Sequence, residues 1–327
     1  MKICYWTPNA GGGAGKYEYY LPREMKKLGV EVEVFRRPKG LKGNPLTLRL
    51  VYKCDGHIVH ATTSSVSIYS YPKPKTFVVT NHGLRFTPRA TFEERIKRIL
   101  ASKSLKRADK IIAVSEFTKK EAIHKVGVEE DKVVVIPLGV DRSKYKPLDR
   151  EYCRRILGLN LEEKYILVVA TSIPLKRLDI TKDVLQRVRE FRDDVKLIKC
   201  GHGKLKGEGI INMGIVPDDR MPILYNAADV LLHTSEYENW SMPPLEAMAC
   251  GIPVVASNKG GIPEVVGDCG ELVDLDAEDC VEQFAEKVLD CIDKGDRNEK
   301  GIERANKFSW EKVARETMKV YEELLRN

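Results

Sequence analysis

The amino-acid sequence predicts an α/β protein with two doubly wound parallel-sheet domains. The chain has 327 residues, about twice the length of an ordinary domain. With 43% apolar and 31% charged residues it can fill ordinary hydrophobic cores, which excludes a largely disordered protein. Short runs rich in β-branched residues alternate with helical patterns throughout, which is typical of parallel sheets covered by helices on both faces.

The predicted elements follow this alternation. Strands of the first half share short apolar runs, at residues 2–6, 30–35, 57–60, 76–80, 110–114 and 133–136, and those of the second half lie at 165–170, 195–200, 230–233 and 253–256. Helical patterns lie between them, as at residues 17–28, 93–104 and 180–190. Two prolines and a glycine within residues 137–147 predict the boundary between domains at 1–147 and 148–308. The final stretch, 309–327, has Ser309 as a helix N-cap and then an amphipathic pattern.

Charge is distributed unevenly along the chain. The net charge of +7 combines +15 in residues 1–150 with −8 in residues 151–327. The basic half is expected to meet a phosphorylated substrate, a membrane surface or nucleic acid, unless it is only a solvated surface. Aromatic residues are not interleaved with the basic ones, which argues against nucleic acid.

Targeting and cysteine patterns indicate a cytoplasmic protein. No run approaches the roughly 18 apolar residues of a membrane helix, and the N-terminal residues turn polar too early for a signal peptide. The eight cysteines are scattered and form no C-x-x-C pair, so neither a zinc site nor a disulfide framework is indicated. We expect no metal site.

The first candidate site is the glycine-rich segment at residues 11–15. Gly12 and Gly13 follow a predicted strand and precede a helix, where bare backbone N–H groups can approach a phosphate. The spacing is not G-x-G-x-x-G, and Phe35 is followed by Arg36 where an acidic residue is usual, which disfavours a nicotinamide dinucleotide. A tight turn without a ligand is the alternative.

Two further clusters follow predicted strands. Residues 80–85 contain His82, which can bind a sugar hydroxyl or move a proton, although a lone histidine can also be purely structural. Residues 171–177 end in Lys176 and Arg177, a cation pair at a strand-to-helix junction that suits a diphosphate or is simply solvated. Both clusters lie where ligands bind in doubly wound sheets.

The most specific segment spans residues 235–256. Glu238 precedes a helix that starts near Pro243, and Glu246 lies about one turn into that helix. We expect both carboxylates to converge on one crevice. Carboxylates repel phosphate but accept hydrogen bonds from hydroxyls, so the cations are expected to hold the anion and the carboxylates a sugar and a ribose.

At these residues the chain resembles the retaining nucleotide-sugar glycosyltransferases of family 4, which have the GT-B fold. Residues 238–256, with two glutamates separated by seven residues and then Glu246-Ala-Met-Ala-Cys-Gly-Ile-Pro-Val-Val-Ala, carry the most specific match. Supporting matches lie at residues 11–15, 108–116, 136–141, 260–264 and 308–311. The resemblance implies two Rossmann-like domains facing across a cleft: an acceptor-side domain at 1–147, a donor-binding domain at 148–308, and a helix from 309 that crosses back to the first.

The resemblance also implies roles for single residues. Glu246 would bind the donor ribose, Glu238 the donor sugar, and Lys176 the diphosphate leaving group. His82 would lie beside the donor sugar, and Gly12 and Gly13 beside the phosphates. The segment after Glu238 would line the donor sugar and phosphates; it comprises Asn239, Trp240, Ser241 and Met242.

This chain departs from the family pattern in two places. Thr171 stands where the family usually carries an arginine, and Arg177, where glycine is usual, either replaces that charge or points into solvent. Residues 239–242 read Asn-Trp-Ser-Met rather than the common Gly-Phe-Gly-Leu. A catalytically weakened sugar-nucleotide-binding or regulatory protein is therefore the alternative to an enzyme.

The resemblance implies sugar transfer with retention of anomeric configuration, no carboxylate nucleophile and no obligatory metal or other cofactor. The leaving phosphate would help to deprotonate the acceptor, a glycan or a lipid-linked molecule. The basic stretch at residues 93–108, with Ile96, Ile99, Leu100 and Leu105, is either a surface for an anionic membrane or an ordinary helix packed on the sheet.

Overall fold

The protein forms two compact units. The computed structural model describes residues 1–8, 10–36, 55–67, 73–84 and 92–326. Unit 1 combines Met1–Gly139 with the chain from Trp310 onward, and unit 2 is Val140–Ser309. Both consist of a parallel sheet with helices, which confirms the α/β, doubly wound fold class. The assignment of acceptor-side and donor-binding roles to the two parts of the chain stays a prediction.

Unit 1 contains a six-stranded parallel sheet in the order β2-β1-β3-β4-β5-β6. Its strands are β1 (Lys2–Thr7), β2 (Glu31–Arg36), β3 (Ile58–Ala61), β4 (Phe77–Asn81), β5 (Lys110–Ala113) and β6 (Val133–Val135). Its α-helices are α1 (Gly12–Lys27), α2 (Ser64–Ser67), α3 (Phe92–Arg107) and α4 (Glu116–Glu121), and the C-terminal helix described below. The apolar strands are buried on both faces, as expected for a parallel sheet between helices.

Unit 2 repeats this design with strand order β12-β11-β10-β7-β8-β9, again all parallel. Its strands are β7 (Lys164–Val169), β8 (Val195–Cys200), β9 (Ile210–Gly214), β10 (Val230–His233), β11 (Val254–Ser257) and β12 (Glu271–Val273). Its α-helices are α5 (Arg150–Leu157), α6 (Leu178–Arg189), α7 (Met221–Ala227), α8 (Met242–Ala249), α9 (Ile262–Val266), α10 (Cys280–Lys294) and α11 (Glu299–Asn306).

The last helix, α12 (Trp310–Arg326), belongs to unit 1. The Trp310 ring stacks on Tyr20 of α1 at 5.1 Å between centroids. Tyr321 lies in a buried polar chain: its hydroxyl is 3.0 Å from the Tyr5 hydroxyl and also bonds Nδ1 of His60. His60 Nε2 lies 2.7 Å from Thr80 Oγ1, which lies 2.8 Å from the Tyr17 hydroxyl. Buried polar groups that satisfy one another in this way fix a unique packing, so α12 completes the core of unit 1.

Three details differ from the sequence-based expectations. Strands β9 and β12 were not predicted, and both lie at sheet edges. Helix α1 begins at Gly12, five residues before the predicted start. Cys4 is disulfide-bonded, which the cysteine spacing does not indicate, while the six cysteines from Cys153 onward are free.

Within the described ranges, no helix is both long enough and apolar enough to span a bilayer.

Candidate functional site

Two loops meet where the strand order of unit 2 reverses. Strands β7 and β10 are neighbours, but β7 continues to β8 on one side and β10 to β11 on the other. The loops that follow them, at residues 170–177 and 234–241, leave the same edge of the sheet. Such a reversal opens a crevice outside the carboxyl ends of the strands, which is where doubly wound proteins bind ligands.

Backbone and side-chain bonds tie the two loops together. The Glu236 N–H donates to the Leu175 carbonyl at 2.9 Å, and Thr234 Oγ1 lies 3.0 Å from the carbonyl oxygens of both Lys176 and Arg177. Lys176 ends a short 3₁₀ turn, Pro174–Lys176, and its ammonium donates to Glu238 Oε1. The structure thus brings together two predicted site residues that lie 62 positions apart.

Glu238 is held in its charged form. Burial opposes the charge, but the Lys176 ammonium and the His233 imidazole outweigh it and lower the pKa of Glu238 to about 2. His233 Nε2 lies 3.4 Å from Glu238 Oε1 and 3.0 Å from Ser241 Oγ. Burial lowers the pKa of His233, although Glu238 opposes this shift. His233, the last residue of β10, was not among the predicted site residues.

Glu246 lies in a different immediate environment. It is 3% exposed on α8, and the Tyr225 hydroxyl donates to its Oε2 at 2.9 Å. Burial and then the Glu246 charge raise the pKa of Tyr225 well above its ordinary value. Glu238 and Glu246 therefore have different partners, and their convergence on one ligand stays a prediction.

A pair of glycines fixes the backbone at Glu238. The Gly261 N–H donates to the Glu238 carbonyl at 2.8 Å. A Cβ at Gly260 would lie 2.3 Å from that carbonyl oxygen, and one at Gly261 would lie 2.2 Å from the Asn239 carbonyl oxygen. These distances are too short for any side chain, so residues 260–261 must be glycine for the segment to hold this position.

The segment from Asn239 to Met242 leads into α8 and contains unpaired polar atoms. Asn239 Oδ1 and Trp240 Nε1 are buried without a hydrogen-bond partner in the part of the chain that the structure describes. Trp240 packs edge-to-face on Phe308 at 5.2 Å. Ser241 is the N-cap of α8 but its hydroxyl caps no amide. Since prolines 243 and 244 carry no N–H, the free amides at this helix start are few.

Arg177 and Thr171 contribute differently from Lys176. Arg177 adopts a left-handed conformation with φ +46°, and its guanidinium donates to both Asp179 carboxylate oxygens. The bond to Asp179 raises the pKa of Arg177. Thr171 is exposed. Arg177 is therefore neutralised by its own neighbour, and its replacement of a family arginine stays untested.

In unit 1, the glycine segment forms the start of α1. Gly11 is the N-cap, and a Cβ at Gly11 or Gly12 would meet no atom within 4 Å, so this helix end presents bare backbone. Gly13 lies in the same first turn. The preceding residue is held in place because the Ala10 N–H donates to Glu18 Oε2 at 3.1 Å.

His82 follows β4 in unit 1. Its Nε2 lies 3.1 Å from the Thr62 carbonyl oxygen, and its ring packs edge-to-face on Tyr17 at 5.2 Å. Burial lowers the pKa of His82 to about 4. Because a carbonyl only accepts, Nε2 carries the proton and Nδ1 is left as an acceptor. Arg85, the last residue of the predicted cluster, lies outside the described residues.

A metal centre is not apparent at either sheet edge. Across the described ranges, no three His, Cys, Asp or Glu side chains are grouped in a way that suits a metal ion.

Two known family models match successive parts of the sequence. The family model described as glycosyl transferases group 1 matches residues 149–308, and that described as glycosyltransferase family 4 matches residues 36–144. The O-antigen chain mannosyltransferase B of Escherichia coli is 30% identical over 236 residues, covering 67% of this chain and 61% of that protein. A D-inositol 3-phosphate glycosyltransferase of Segniliparus rotundus is 28% identical over 241 residues, covering 67% and 53%. The chain thus spans between about half and three fifths of these relatives' length.

Solved structures of other proteins share the fold of this chain. Sucrose-phosphate synthase from Thermosynechococcus elongatus superposes with a TM-score of 0.80 at 17% identity, covering 100% of this chain and 99% of that one. Anabaena HepE in complex with UDP-glucose gives 0.79 at 21%, covering 99% and 100%. These likenesses show a shared GT-B fold. Since the two family models match successive parts of one chain with this fold, the protein belongs to glycosyltransferase family 4.

Proposed function

We propose that the protein is a retaining glycosyltransferase, which moves a hexosyl-type sugar from a nucleoside diphosphate sugar to a hydroxyl of a glycan or lipid-linked acceptor. The observation that carries this proposal is the contact of Lys176 with Glu238 at the reversal of the unit 2 sheet. There a cation suited to a diphosphate and a carboxylate suited to sugar hydroxyls lie side by side. Family membership and the similar fold of HepE, whose structure contains UDP-glucose, support it.

Lys176 would act on the leaving group. An ammonium has three N–H donors, and Glu238 accepts one of them, which leaves donors for the phosphate oxygens. As the bond to the anomeric carbon breaks, negative charge grows on the diphosphate, and a cation already in place stabilises it. Removing one such contact typically lowers the rate by about 10²–10³-fold.

Glu238 would bind the sugar rather than attack it. A carboxylate whose pKa is about 2 is a weak base, and its charge is already directed at Lys176 and His233. Both properties make it a poor nucleophile but leave it able to accept hydrogen bonds from hydroxyls. The reaction would then proceed on one face, with the departing phosphate taking the acceptor proton.

The other site residues would complete donor binding. Glu246 would accept hydrogen bonds from the ribose hydroxyls, and the amides of Ser241 and Met242 would donate to the phosphates or sugar. The unpaired Asn239 Oδ1 and Trp240 Nε1 are further candidates for ligand contacts. In unit 1, Gly12 and Gly13 would offer backbone N–H groups to a phosphate, and His82, in its neutral form, would form a hydrogen bond with a sugar hydroxyl.

The test compares two single substitutions on neighbouring segments. Lys176→Ala should lower release of nucleoside diphosphate from a nucleotide sugar by about 10²–10³-fold, with an unchanged circular dichroism spectrum. Arg187→Ala removes an exposed cation of α6 that pairs with Glu190, the residue after this helix, and should leave the rate unchanged. Full activity of Lys176→Ala would contradict the leaving-group role, and an inverted product anomer, measured by NMR, would contradict retention.

The donor is identified first by thermal shift with UDP-, GDP- and ADP-sugars. A ligand at about 100 times its dissociation constant stabilises the folded state by about 2.7 kcal/mol. Stabilisation by a nucleotide sugar without any turnover would instead support the alternative, a weakened binding or regulatory protein, in which Thr171 marks the lost function.

We also propose that α3 contacts an anionic membrane, where a lipid-linked acceptor would reside. Phe92, Ile96, Ile99 and Leu100 are 79%, 43%, 55% and 45% exposed, and their spacing places them along one face of the helix. Arginines and lysines accompany them, and the opposite face, with Ala101 and Leu105, is buried. Exposed apolar residues beside basic ones are typical of interfacial helices.

Sedimentation with vesicles tests the membrane contact. Wild-type protein should bind phosphatidylglycerol vesicles at low salt, and Ile99→Ser with Phe92→Ser should reduce binding at least about tenfold. Phe191→Ser, which removes an aromatic 64% exposed after α6, is the matched control. Equal binding by all variants, or none by the wild type, would contradict the membrane contact.

A further inference from the structure

A lysine lies buried inside the sheet of unit 2. Lys199 is the fifth residue of β8, and its side chain is 0% exposed. Its ammonium donates to the carbonyl oxygens of Gly201, His202 and Gly203 at 2.9, 2.6 and 2.6 Å. Three acceptors require three N–H donors, and a neutral amine has only two. Although burial lowers the pKa of Lys199, this geometry favours its charged form.

The loop held by Lys199 packs against the loop that carries Lys176. The Ser172 N–H donates to the His202 carbonyl at 2.9 Å, so the ammonium of Lys199 and the Ser172 amide share one oxygen. A Cβ at Gly201 would lie 2.4 Å from the Ala170 carbonyl oxygen, and one at Gly203 would lie 2.6 Å from Ser172 Oγ. The positive charge therefore lies directly beside the backbone that follows β7.

The charges at this sheet edge are unequally compensated. Lys176 pairs with Glu238, and Arg177 pairs with Asp179. The hydrogen-bond partners that the structure gives Lys199 are neutral carbonyls, and among the described residues no carboxylate forms an ion pair with it. A buried cation without a counter-charge is costly for folding. Its field is also weakly screened and extends to neighbouring ligands.

We propose that Lys199 is a positioning residue for the donor: it fixes residues 201–203 against the Lys176 loop and supplies the uncompensated positive charge that attracts the diphosphate. This inference rests on the proposed function, since it requires an anionic donor at the edge of unit 2. A residue that only held the loop in place would affect the binding of neutral and charged ligands equally. An uncompensated charge instead acts on the phosphates of the ligand.

Comparing each nucleoside diphosphate with its nucleoside separates the effect of charge from the effect of loop position. Isothermal titration measures binding of UDP and uridine, and of GDP and guanosine, to wild type, Lys199→Met and Lys199→Gln. Glutamine retains an N–H₂ donor for the loop without the charge, and provides the second variant if methionine prevents folding. At an effective dielectric constant of about 20, one unit charge within about 10 Å changes diphosphate affinity by at least about tenfold. Lys196→Gln, on the same strand and paired with Glu163, is the control.

The expected result is an about tenfold or greater loss of diphosphate affinity in both variants, with nucleoside affinity changed less than about twofold. In turnover assays the donor KM should rise with a smaller change in kcat. Equal losses for UDP and uridine, or full diphosphate affinity in Lys199→Gln, would overturn the charge role while the proposed function stands. If wild-type protein binds neither diphosphate more tightly than its nucleoside, the donor assignment fails and this inference fails with it.

Discussion

The carboxyl edges of the two sheets have the same architecture but different chemistry. At the edge of unit 1, α1 starts with bare glycine backbone, and His82 is buried with its pKa lowered. At the edge of unit 2, Lys176, Glu238 and Lys199 carry charge. The unit 1 site therefore presents backbone dipoles and a neutral imidazole, and the unit 2 site presents fixed ions.

This difference matches what each edge is proposed to bind. A diphosphate needs charge that is held before the ligand arrives, because reorganising ions during the reaction adds to the barrier. A sugar hydroxyl, which is the partner proposed for His82, needs no counter-ion. The comparison predicts that unit 2 depends on the exact position of its loops, while unit 1 depends on the protonation state of its histidines.

Among the changes that test this comparison of the two edges, the largest expected effect is at Gly261. Its φ is not in the left-handed region, so Gly261→Ala tests only the close approach of the Asn239 carbonyl, 2.2 Å from the new Cβ. The alanine should displace the Glu238 segment, and turnover should fall by about 10²-fold, the usual result of a misplacement of about 1 Å. Initial rates of nucleoside diphosphate release measure this.

A matched alanine at Gly207 meets the flexible side chains of Ile210 and Lys182 and should leave the rate within about twofold. If Gly261→Ala retained the wild-type rate, the unit 2 edge would not depend on a fixed loop.

The second prediction concerns the stability of the folded protein at acidic pH. His60 and His82 have pKa values lowered by burial to about 3 and about 4, below the ordinary 6.5. As the pH falls through 6.5, the unfolded chain binds protons that the folded chain does not, so the free energy of unfolding decreases. Each imidazole contributes up to about 1.4 kcal/mol per pH unit down to its folded pKa. Urea denaturation between pH 4 and 7 measures the slope.

His82→Gln should reduce this slope by the contribution of one imidazole. Glu238, whose pKa is lowered to about 2, does not lower the free energy of unfolding until the pH falls below about 4.5. An unchanged slope in His82→Gln would contradict the neutral, buried state of this histidine.

The smallest expected effect is at Arg177. A non-glycine residue at φ +46° carries a backbone cost of about 1 kcal/mol, while its ion pair with the exposed Asp179 contributes up to about 1 kcal/mol. Arg177→Gly should therefore change the free energy of unfolding by less than about 1 kcal/mol and turnover by less than about threefold. A 10²-fold loss of turnover would show that Arg177 supplies charge to the donor.

Most strands of both sheets could be predicted because buried parallel strands appear in the sequence as short apolar runs. Strands β9 and β12 were missed because both lie at sheet edges: β9 is half-buried, and β12 has only three residues. The start of α1 was placed too late because glycines have low helix propensity. A glycine is nevertheless required in the first turn, because a Cβ at Gly15 would lie 2.3 Å from the Ala10 carbonyl oxygen.

Site residues that directly follow a strand could be predicted from the sequence. Contacts between residues that follow two different strands could not, because they depend on which strands are neighbours. Lys176 and Glu238 were singled out by their positions, but their contact requires β7 and β10 to be neighbours. His233 was interpreted only as a strand end. Lys199 stands within a predicted strand, and its three carbonyl partners exist only once the following loop folds back over it.

The membership of α12 in unit 1 has a consequence for biosynthesis. Unit 2 has every one of its elements before residue 310 leaves the ribosome, whereas unit 1 still lacks the Tyr321 hydroxyl that bonds Tyr5 and His60. The half of the protein that is translated first is therefore the half whose core is finished last.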